Sequence, residues 1–255
     1  MERRRRSELR SRLSTVEVSE RRAARKGPRR RWYLPFKSFI EWMTALILFV
    51  ITVPLMAALG AIVRLTSPGP AFYSQARVGR NGRIFLMHKL RSMGHNCEAK
   101  TGPTWSAPND ARVTRFGRLL RKTHLDELPQ LLNVLQGHML LIGPRPERPE
   151  LCALIEQTIP RFRERLLLLP GLTGLAQIQL PADRGLHTVS RKLAYDLYYI
   201  REVSPWLDLR IALSTVVYLC GAMFGSISEL SRSHYSAADQ NDIESIDDDS
   251  EMPTS

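Results

Sequence analysis

Two adjacent carboxylates, Asp126 and Glu127, sit in the stretch Leu125-Asp126-Glu127-Leu128-Pro129-Gln130. A short way downstream an arginine is pinned between two prolines, in Ile142-Gly143-Pro144-Arg145-Pro146-Glu147. Lys89, Arg91, Arg112 and Arg121 lie upstream. Carboxylates in the company of so many cations suit phosphate chemistry. One carboxylate can serve as nucleophile or metal ligand, because cations screen its repulsion from a phosphate. Arginine offers a planar fork matched to phosphate oxygens, and Pro146 holds Arg145 in extended geometry. Each fragment also has a plainer reading. An acidic pair complements the dipole of a helix start, and Thr123-x-x-Asp126 fits a capping box with Asp in place of Glu. A Pro-Arg-Pro segment can be a rigid turn with its arginine in solvent. The phosphate reading comes from the fragments taken together.

A run of 22 residues without charge, Trp42 to Val63, ties the same chain to a membrane. At about 1.5 Å per residue a straight helix of that length reaches roughly 33 Å, enough to cross a bilayer. It is not a signal peptide: the basic region before it is too long, and no small-x-small cleavage site follows. Pro54 sits at the midpoint, where it removes a helix hydrogen bond and favours a kink. Both flanks are basic, with an arginine-rich arm on one side and Arg64, Arg77, Arg80, Arg83, Lys89 and Arg91 on the other. A true span shows a Lys/Arg asymmetry. Equal flanks predict a proline-broken, re-entrant helix with both ends on the cytoplasmic face. A kinked single span is the alternative.

The chain has 255 residues and a net charge of +12, unevenly spread. Residues 1–38 carry +10, residues 229–255 carry −7, and the stretch between them carries +9. Such an excess in a folded region expects an anionic partner: phosphates, nucleic acid or anionic lipid. Residues 1–31 read as a disordered basic arm, either merely solvated or drawn to lipid headgroups. Few aromatics interleave its arginines, which weakens nucleic-acid binding. Cys97, Cys152 and Cys220 are far apart and form no Cys-x-x-Cys or Cys/His cluster. That disfavours a disulfide framework or structural zinc and fits a reducing setting.

Beyond Thr66-Ser67-Pro68-Gly69-Pro70, residues 71–77 and 83–90 flank Asn81-Gly82, a hairpin signal. Arg112, Arg115, Arg118 and Arg121 recur every three residues, which predicts a helix with one basic face. Pro129 to Leu135 reads as a helix ending near Gly137, and residues 150–168, 189–200 and 208–224 as further helices. Residues 170–174 read as a loop. Ile211 to Phe224 lacks charge but is too short to span, so it predicts an interfacial or core helix. The acidic end reads as disordered.

In series, these segments resemble a bacterial sugar transferase of the monotopic phosphoglycosyl transferase family. The resemblance rests on Lys89-Leu90-Arg91-Ser92-Met93, Asp110 to Gly117, Leu119-Leu120-Arg121, Leu125 to Leu131 and Asn133-Val134-Leu135-Gln136-Gly137. It continues through Gly143 to Glu147, Pro170 to Gln177 and Asp196 to Ile200. The segments stand in the family's order across roughly residues 36–220, and only the whole series is specific. It implies transfer of a phosphosugar from a UDP-sugar to polyprenol (undecaprenyl) phosphate, the first membrane step of exopolysaccharide, O-antigen or glycoconjugate synthesis. By the resemblance Asp126 is the nucleophile and a Mg²⁺ ligand, and forms an aspartyl-phosphosugar, while Glu127 is the base. Lys89, Arg91, Arg112, Arg121 and Arg145 bind phosphate; Thr173, Gly174 and Gln177 contact the donor; Pro54 breaks the membrane helix. The implied fold is α+β and mostly helical, a monotopic membrane protein with interfacial helices and one small β-hairpin. Its expected divisions are a basic arm (1–35), a re-entrant helix (36–66), a cytosolic catalytic domain (67–225) and an acidic tail (226–255). The expected location is the cytoplasmic face of the inner membrane. Expected partners are anionic lipid and downstream glycosyltransferases, with no nucleic acid. The chain departs from the family's usual residues at His124, His138, Leu140, Leu169 and residues 179–183, which leaves the sugar open. A non-catalytic scaffold recruiting glycosyltransferases is the alternative, and the intact Asp126-Glu127 pair argues against it.

Overall fold

The computed structural model describes residues 27–97, 110–180 and 186–224. Most of the basic arm, the acidic tail and residues 181–185 lie outside the described residues. The described chain is mostly helical, with two small sheets. A 34-residue helix, α1 (Tyr33–Thr66), comes first. It begins inside the expected arm, ahead of the charge-free run. Strands β1 (Phe72–Val78) and β2 (Ile84–Leu90) form the anticipated antiparallel hairpin, from Phe72↔Leu90 to Val78↔Ile84. Asn81 and Gly82 both take positive φ, 57° and 78°, at its tip, the backbone that an Asn-Gly pair tolerates best.

Next come α2 (Arg115–Lys122), a 3₁₀ turn (Leu125–Glu127) and α3 (Gln130–Leu135). Thr114 caps α2, its Oγ1 accepting from Gly117 N at 2.9 Å. Gly137, with φ of 74°, turns the chain out of α3. The short strand β3 (Leu140–Ile142) follows, then α4 (Pro149–Thr158) and a 3₁₀ segment (Pro160–Leu167). Strand β4 (Gly171–Thr173), α5 (Leu175–Gln179), α6 (Leu186–Glu202) and α7 (Pro205–Phe224) complete the described chain.

Three expectations are corrected. Residues 171–173 are not loop but strand, pairing in parallel with β3. Three-residue strands carry no periodic signal of their own, and this pair exists because glycine backbones cross there. A Cβ on Gly171 would lie 2.1 Å from Gly143 N, and one on Gly174 would lie 2.1 Å from Gly143 O. Arg112 does not share a helical face with the later arginines, because α2 starts at Arg115. Thr123 is no capping-box residue. It ends α2, and its hydroxyl donates back to Leu119 O at 2.8 Å.

The main core packs α4, the 3₁₀ segment, α6 and the start of α7 around Ile155, Phe162, Leu193, Tyr199 and Ile211. A second cluster joins Ala45 of α1 to Phe85, Met87, Leu131 and Met139; a third joins Leu59 and Val63 to Leu90 and Leu120. Both ends of α1 are thus seated on the same body. Near its start Tyr33 donates to Asp208 (2.8 Å), Lys37 pairs with Glu41 and Asp208, and Trp42 Nε1 donates to Leu135 O (2.9 Å). Past its end, Arg91 donates to the carbonyls of Ser67 and Pro68. Between them Val50, Ile51, Val53 and Leu55 are exposed. The helix continues through Pro54 rather than dividing into two. Proline forfeits one hydrogen bond, and packing of both flanking halves keeps the segment helical across that gap.

Candidate active site

The 3₁₀ turn presents Asp126 and Glu127 in unlike surroundings. His124, in the left-handed conformation (φ 56°), reverses the chain between α2 and the turn. Its ring lies 5.6 Å from that of Tyr218 on α7. The Asp126 side chain is buried, and no hydrogen bond or ion pair within 4.0 Å joins it to another described residue. Burial raises its pKa, while the more distant charges of Lys89 and Arg121 pull the other way. Glu127 is doubly clamped. Its Oε1 accepts from Lys89 Nζ at 2.7 Å and from Arg145 Nη2 at 2.6 Å, and its Oε2 from Arg145 Nη1 at 3.4 Å. Burial pushes the Glu127 carboxyl up, but Arg145 and Lys89 together outweigh it and hold it well below the usual carboxylate range.

β2 supplies Lys89 to this clamp, and the segment after β3 supplies Arg145. Arg145 is held from behind: Arg165 Nη2 donates to its carbonyl at 2.7 Å, and Arg77 donates to the carbonyl of Pro146 at 3.1 Å. Arg165 is in turn paired with buried Asp196 at 2.7 Å. The Pro-Arg-Pro segment is therefore a fixed mount for its guanidinium, not a turn aimed at solvent.

The other anticipated cations divide. Arg121 donates to Ser92 Oγ at 2.9 Å and lies close enough to lower the pKa of both Asp126 and Asp110. Arg112 forks onto Asp110, whose pKa falls to about 2 chiefly through that hydrogen bond. Arg91 is buried against the carbonyls that end α1, so it does structural work. Thr173 Oγ1 hydrogen-bonds Thr215 Oγ1 at 2.9 Å, Gly174 packs on the Gly143 backbone, and Gln177 Nε2 donates to Leu172 O at 3.0 Å. These three residues brace the β3–β4 crossing beside the Arg145 mount. His138, just past the α3 end, is exposed and stands near Phe85.

No cluster of three or more His, Cys, Asp or Glu able to hold a metal occurs among the described residues. Mg²⁺ does not need one, since it commonly takes one or two carboxylates and completes its shell with substrate phosphates and water. An unpaired Asp126 carboxylate fits that mode. Two polar residues of α3 that stand within the matching motifs had no role in the expected site: Gln130, buried with its Nε2 unpartnered, and Asn133, wholly buried. A polar residue interrupting an apolar run, as Asn133 does in Leu131-Leu132-Asn133-Val134-Leu135, was the available signal.

The site is thus an open carboxylate beside a clamped one, under a fixed guanidinium, on a body that also carries an exposed apolar helix. Comparison with known proteins gives the chain its family. The model for the bacterial sugar transferase family matches residues 32–222, and the chain belongs to that family. It is 40% identical over 197 residues to a UDP-glucose:undecaprenyl-phosphate glucose-1-phosphate transferase of Xanthomonas campestris pv. campestris, covering 76% of this chain and 40% of that protein. It is 38% identical over 184 residues to a UDP-N-acetylgalactosamine-undecaprenyl-phosphate N-acetylgalactosaminephosphotransferase of Aeromonas hydrophila, covering 72% and 43%. It is 37% identical over 190 residues to the exopolysaccharide production protein PSS of Rhizobium leguminosarum bv. phaseoli, covering 72% and 94%. The chain thus spans about two fifths of the first two relatives and nearly all of the third.

Proposed function

We propose that this protein transfers a phosphosugar from a UDP-sugar to undecaprenyl phosphate at a membrane surface, beginning the assembly of a lipid-linked glycan. The observation that carries this is Asp126: a buried carboxylate with no hydrogen-bond or ion-pair partner among the described residues, set beside a cation clamp. An unpaired buried carboxylate is costly unless its function needs it. One Asp126 oxygen attacks the β-phosphorus of the donor. The bond from that phosphorus to the bridging oxygen breaks, UMP leaves, and the phosphosugar is held on Asp126. An oxygen of undecaprenyl phosphate then attacks the same phosphorus, and Asp126 departs as carboxylate. Splitting the transfer lets a water-soluble donor and a lipid acceptor use one site in turn. Lys89 and Arg145 serve the donor phosphates, and Glu127 then serves as base once a phosphate competes for its cations. When bound at Asp126, Mg²⁺ would neutralise charge between carboxylate and diphosphate. The activities for which these relatives are named support the substrate classes and leave the sugar undecided between glucose and N-acetylgalactosamine.

The proposed topology is monotopic and re-entrant, in the cytoplasmic membrane with the catalytic body on the cytoplasmic face. It is supported by an α1 whose two ends rest on one body while its middle stands clear. An exposed apolar stripe on α7, Trp206, Leu209, Leu213, Val216 and Val217, supports an interfacial seat. Anionic lipid around the basic arm, and downstream glycosyltransferases receiving the product, complete the reading. The test is mass-detected transfer from a panel of UDP-sugars to undecaprenyl phosphate, with and without chelator. We expect one or a few sugars to transfer, EDTA to stop turnover and Mg²⁺ to restore it. No transfer from any UDP-sugar would refute the reading.

A further inference from the structure

Three separate elements deliver the groups that meet at Glu127. β2 brings Lys89, the 3₁₀ turn brings Glu127 itself, and the segment after β3 brings Arg145. Contacts among the three charged tips cannot set the register of the backbones behind them. We infer that Asn133 sets it, as the positioning residue that locks all three elements to one point on α3. This inference rests on the transfer reading above.

The side chain of Asn133 is 0% exposed. Its Nδ2 donates to Leu86 O at 2.7 Å, and its Oδ1 accepts from His88 N at 3.0 Å. Those two groups face away from β1, along the open edge of β2. The amide thus gives β2 the donor and acceptor that a third strand would give. Lys89 is the next residue after His88. A slip of one residue along β2 would turn Lys89 to the opposite face of the hairpin, and the amide pair blocks that slip. The backbone carbonyl of the same residue accepts from His138 N (3.0 Å) and Met139 N (3.3 Å), immediately before β3. That fixes where the chain enters β3, and so where the Arg145 mount begins. Upstream, Leu128 N bonds Leu125 O and Leu131 N bonds Leu128 O, so the 3₁₀ turn and α3 form one continuous piece. Glu127 is indexed to Asn133 through that piece.

No other side chain satisfies both edge groups. Aspartate keeps the acceptor but sets a carboxylate against Leu86 O. Alanine or leucine leaves a buried N–H and a buried C=O unpaired. Glutamine overreaches by one methylene in a packed core. Displacement of a clamp by about 1 Å can cost 10²-fold in rate, so a residue touching no substrate can still control turnover.

The experiment compares Asn133→Ala and Asn133→Asp with Ile155→Ala, a cavity variant in the main core. Each is assayed for UMP release from the donor, in native membranes, at a temperature where circular dichroism shows it folded. Partial unfolding lowers apparent kcat and leaves KM alone. A misplaced clamp also weakens donor binding. We expect both Asn133 variants to raise donor KM about threefold or more and to lower kcat/KM about tenfold or more, while Ile155→Ala leaves KM unchanged. An unchanged KM in the Asn133 variants overturns the inference, and so does failure of both to fold, which would make Asn133 purely structural. Hydrogen exchange on the wild type needs no variant: the His88 amide should be protected although it lies on an open strand edge, and fast exchange overturns the inference. If wild type itself releases no UMP, the transfer reading fails instead.

Discussion

Two clusters of buried charge in this protein look alike in composition and differ in closure. Under α1, Lys37 is paired with both Glu41 and Asp208. The remaining acceptors there are also taken: Glu41 Oε2 by the Leu141 N–H at 2.8 Å, Asp208 Oδ1 by the Tyr199 hydroxyl at 2.7 Å, and Asp208 Oδ2 by that of Tyr33 at 2.8 Å. Nothing in that cluster is left for a ligand. At the 3₁₀ turn the balance is reversed. Lys89, Arg121 and Arg145 outnumber Asp126 and Glu127, and Asp126 has no close partner among the described residues. Buried charge alone therefore does not mark a site. A surplus of one sign, together with an open group of the other, does.

That contrast predicts opposite outcomes for activity and stability. Asp126→Asn should lower transfer by about four orders of magnitude or more, as loss of a nucleophile does, yet leave the protein folded and membrane-bound. Incubated with donor alone, wild type should release UMP in an amount comparable to enzyme, and the Asp126 peptide should gain a phosphosugar mass. Because burial raises the folded-state pKa of Asp126, ionising it weakens the fold. Wild type should lose stability relative to Asp126→Asn as pH rises above the ordinary carboxylate range, measured by thermal unfolding in detergent between pH 4 and pH 7. Full activity in Asp126→Asn would remove the distinction between the clusters.

Lys37→Met breaks the closed cluster instead. It leaves Glu41 and Asp208 buried without their cation, so about 3–5 kcal/mol of stability should go. Donor KM in the molecules that remain folded should move little. A shifted KM would mean that the sealed network reaches the site through β3. Arg145→Lys sits between these extremes. The charge stays and the fork is lost, so kcat/KM should fall about 10- to 100-fold, or about 1.4–2.8 kcal/mol. Wild-type kinetics in that variant would show that only charge matters at the clamp.

Much of the open cluster was legible because its parts are short, local and unusual: an acidic pair, a Pro-Arg-Pro mount and an Asn-Gly hairpin. The closed cluster was not. Lys37 and Glu41 fall in the expected membrane helix with nothing local to mark them, because their partner Asp208 is about 170 residues away in sequence. The contacts of Arg91 were equally hidden, since its carbonyl partners at Ser67 and Pro68 lie just past the end of α1, more than 20 residues upstream. The β3–β4 sheet was hidden because its stability comes from glycine backbones crossing, which no periodicity reports. Charge sign could be read from sequence, but saturation could not, because saturation depends on long-range partners.

The smallest effect should come from Pro54→Ala, and it bears on why the closed cluster exists. Alanine restores the N–H that can bond the Val50 carbonyl, and with that hydrogen bond regained about 22 apolar residues could cross a bilayer as one unstrained helix. If the proline alone held the helix in its place, the variant would send the basic arm across. But the start of α1 is fixed by Lys37, Glu41 and Tyr33, and its end by the packing of Leu59 and Val63 on Leu90 and Leu120. The arginines of the arm also oppose translocation. A cysteine at Ser7, in a background lacking Cys97, Cys152 and Cys220, should therefore react only from the cytoplasmic side in wild type and in Pro54→Ala alike, with transfer changed less than about threefold. Adding Lys37→Met to Pro54→Ala should expose part of the population to an external thiol reagent, because both restraints are then gone. External labelling in wild type would refute the re-entrant topology. External labelling in Pro54→Ala alone would assign to the proline the anchoring that we assign to the buried charges.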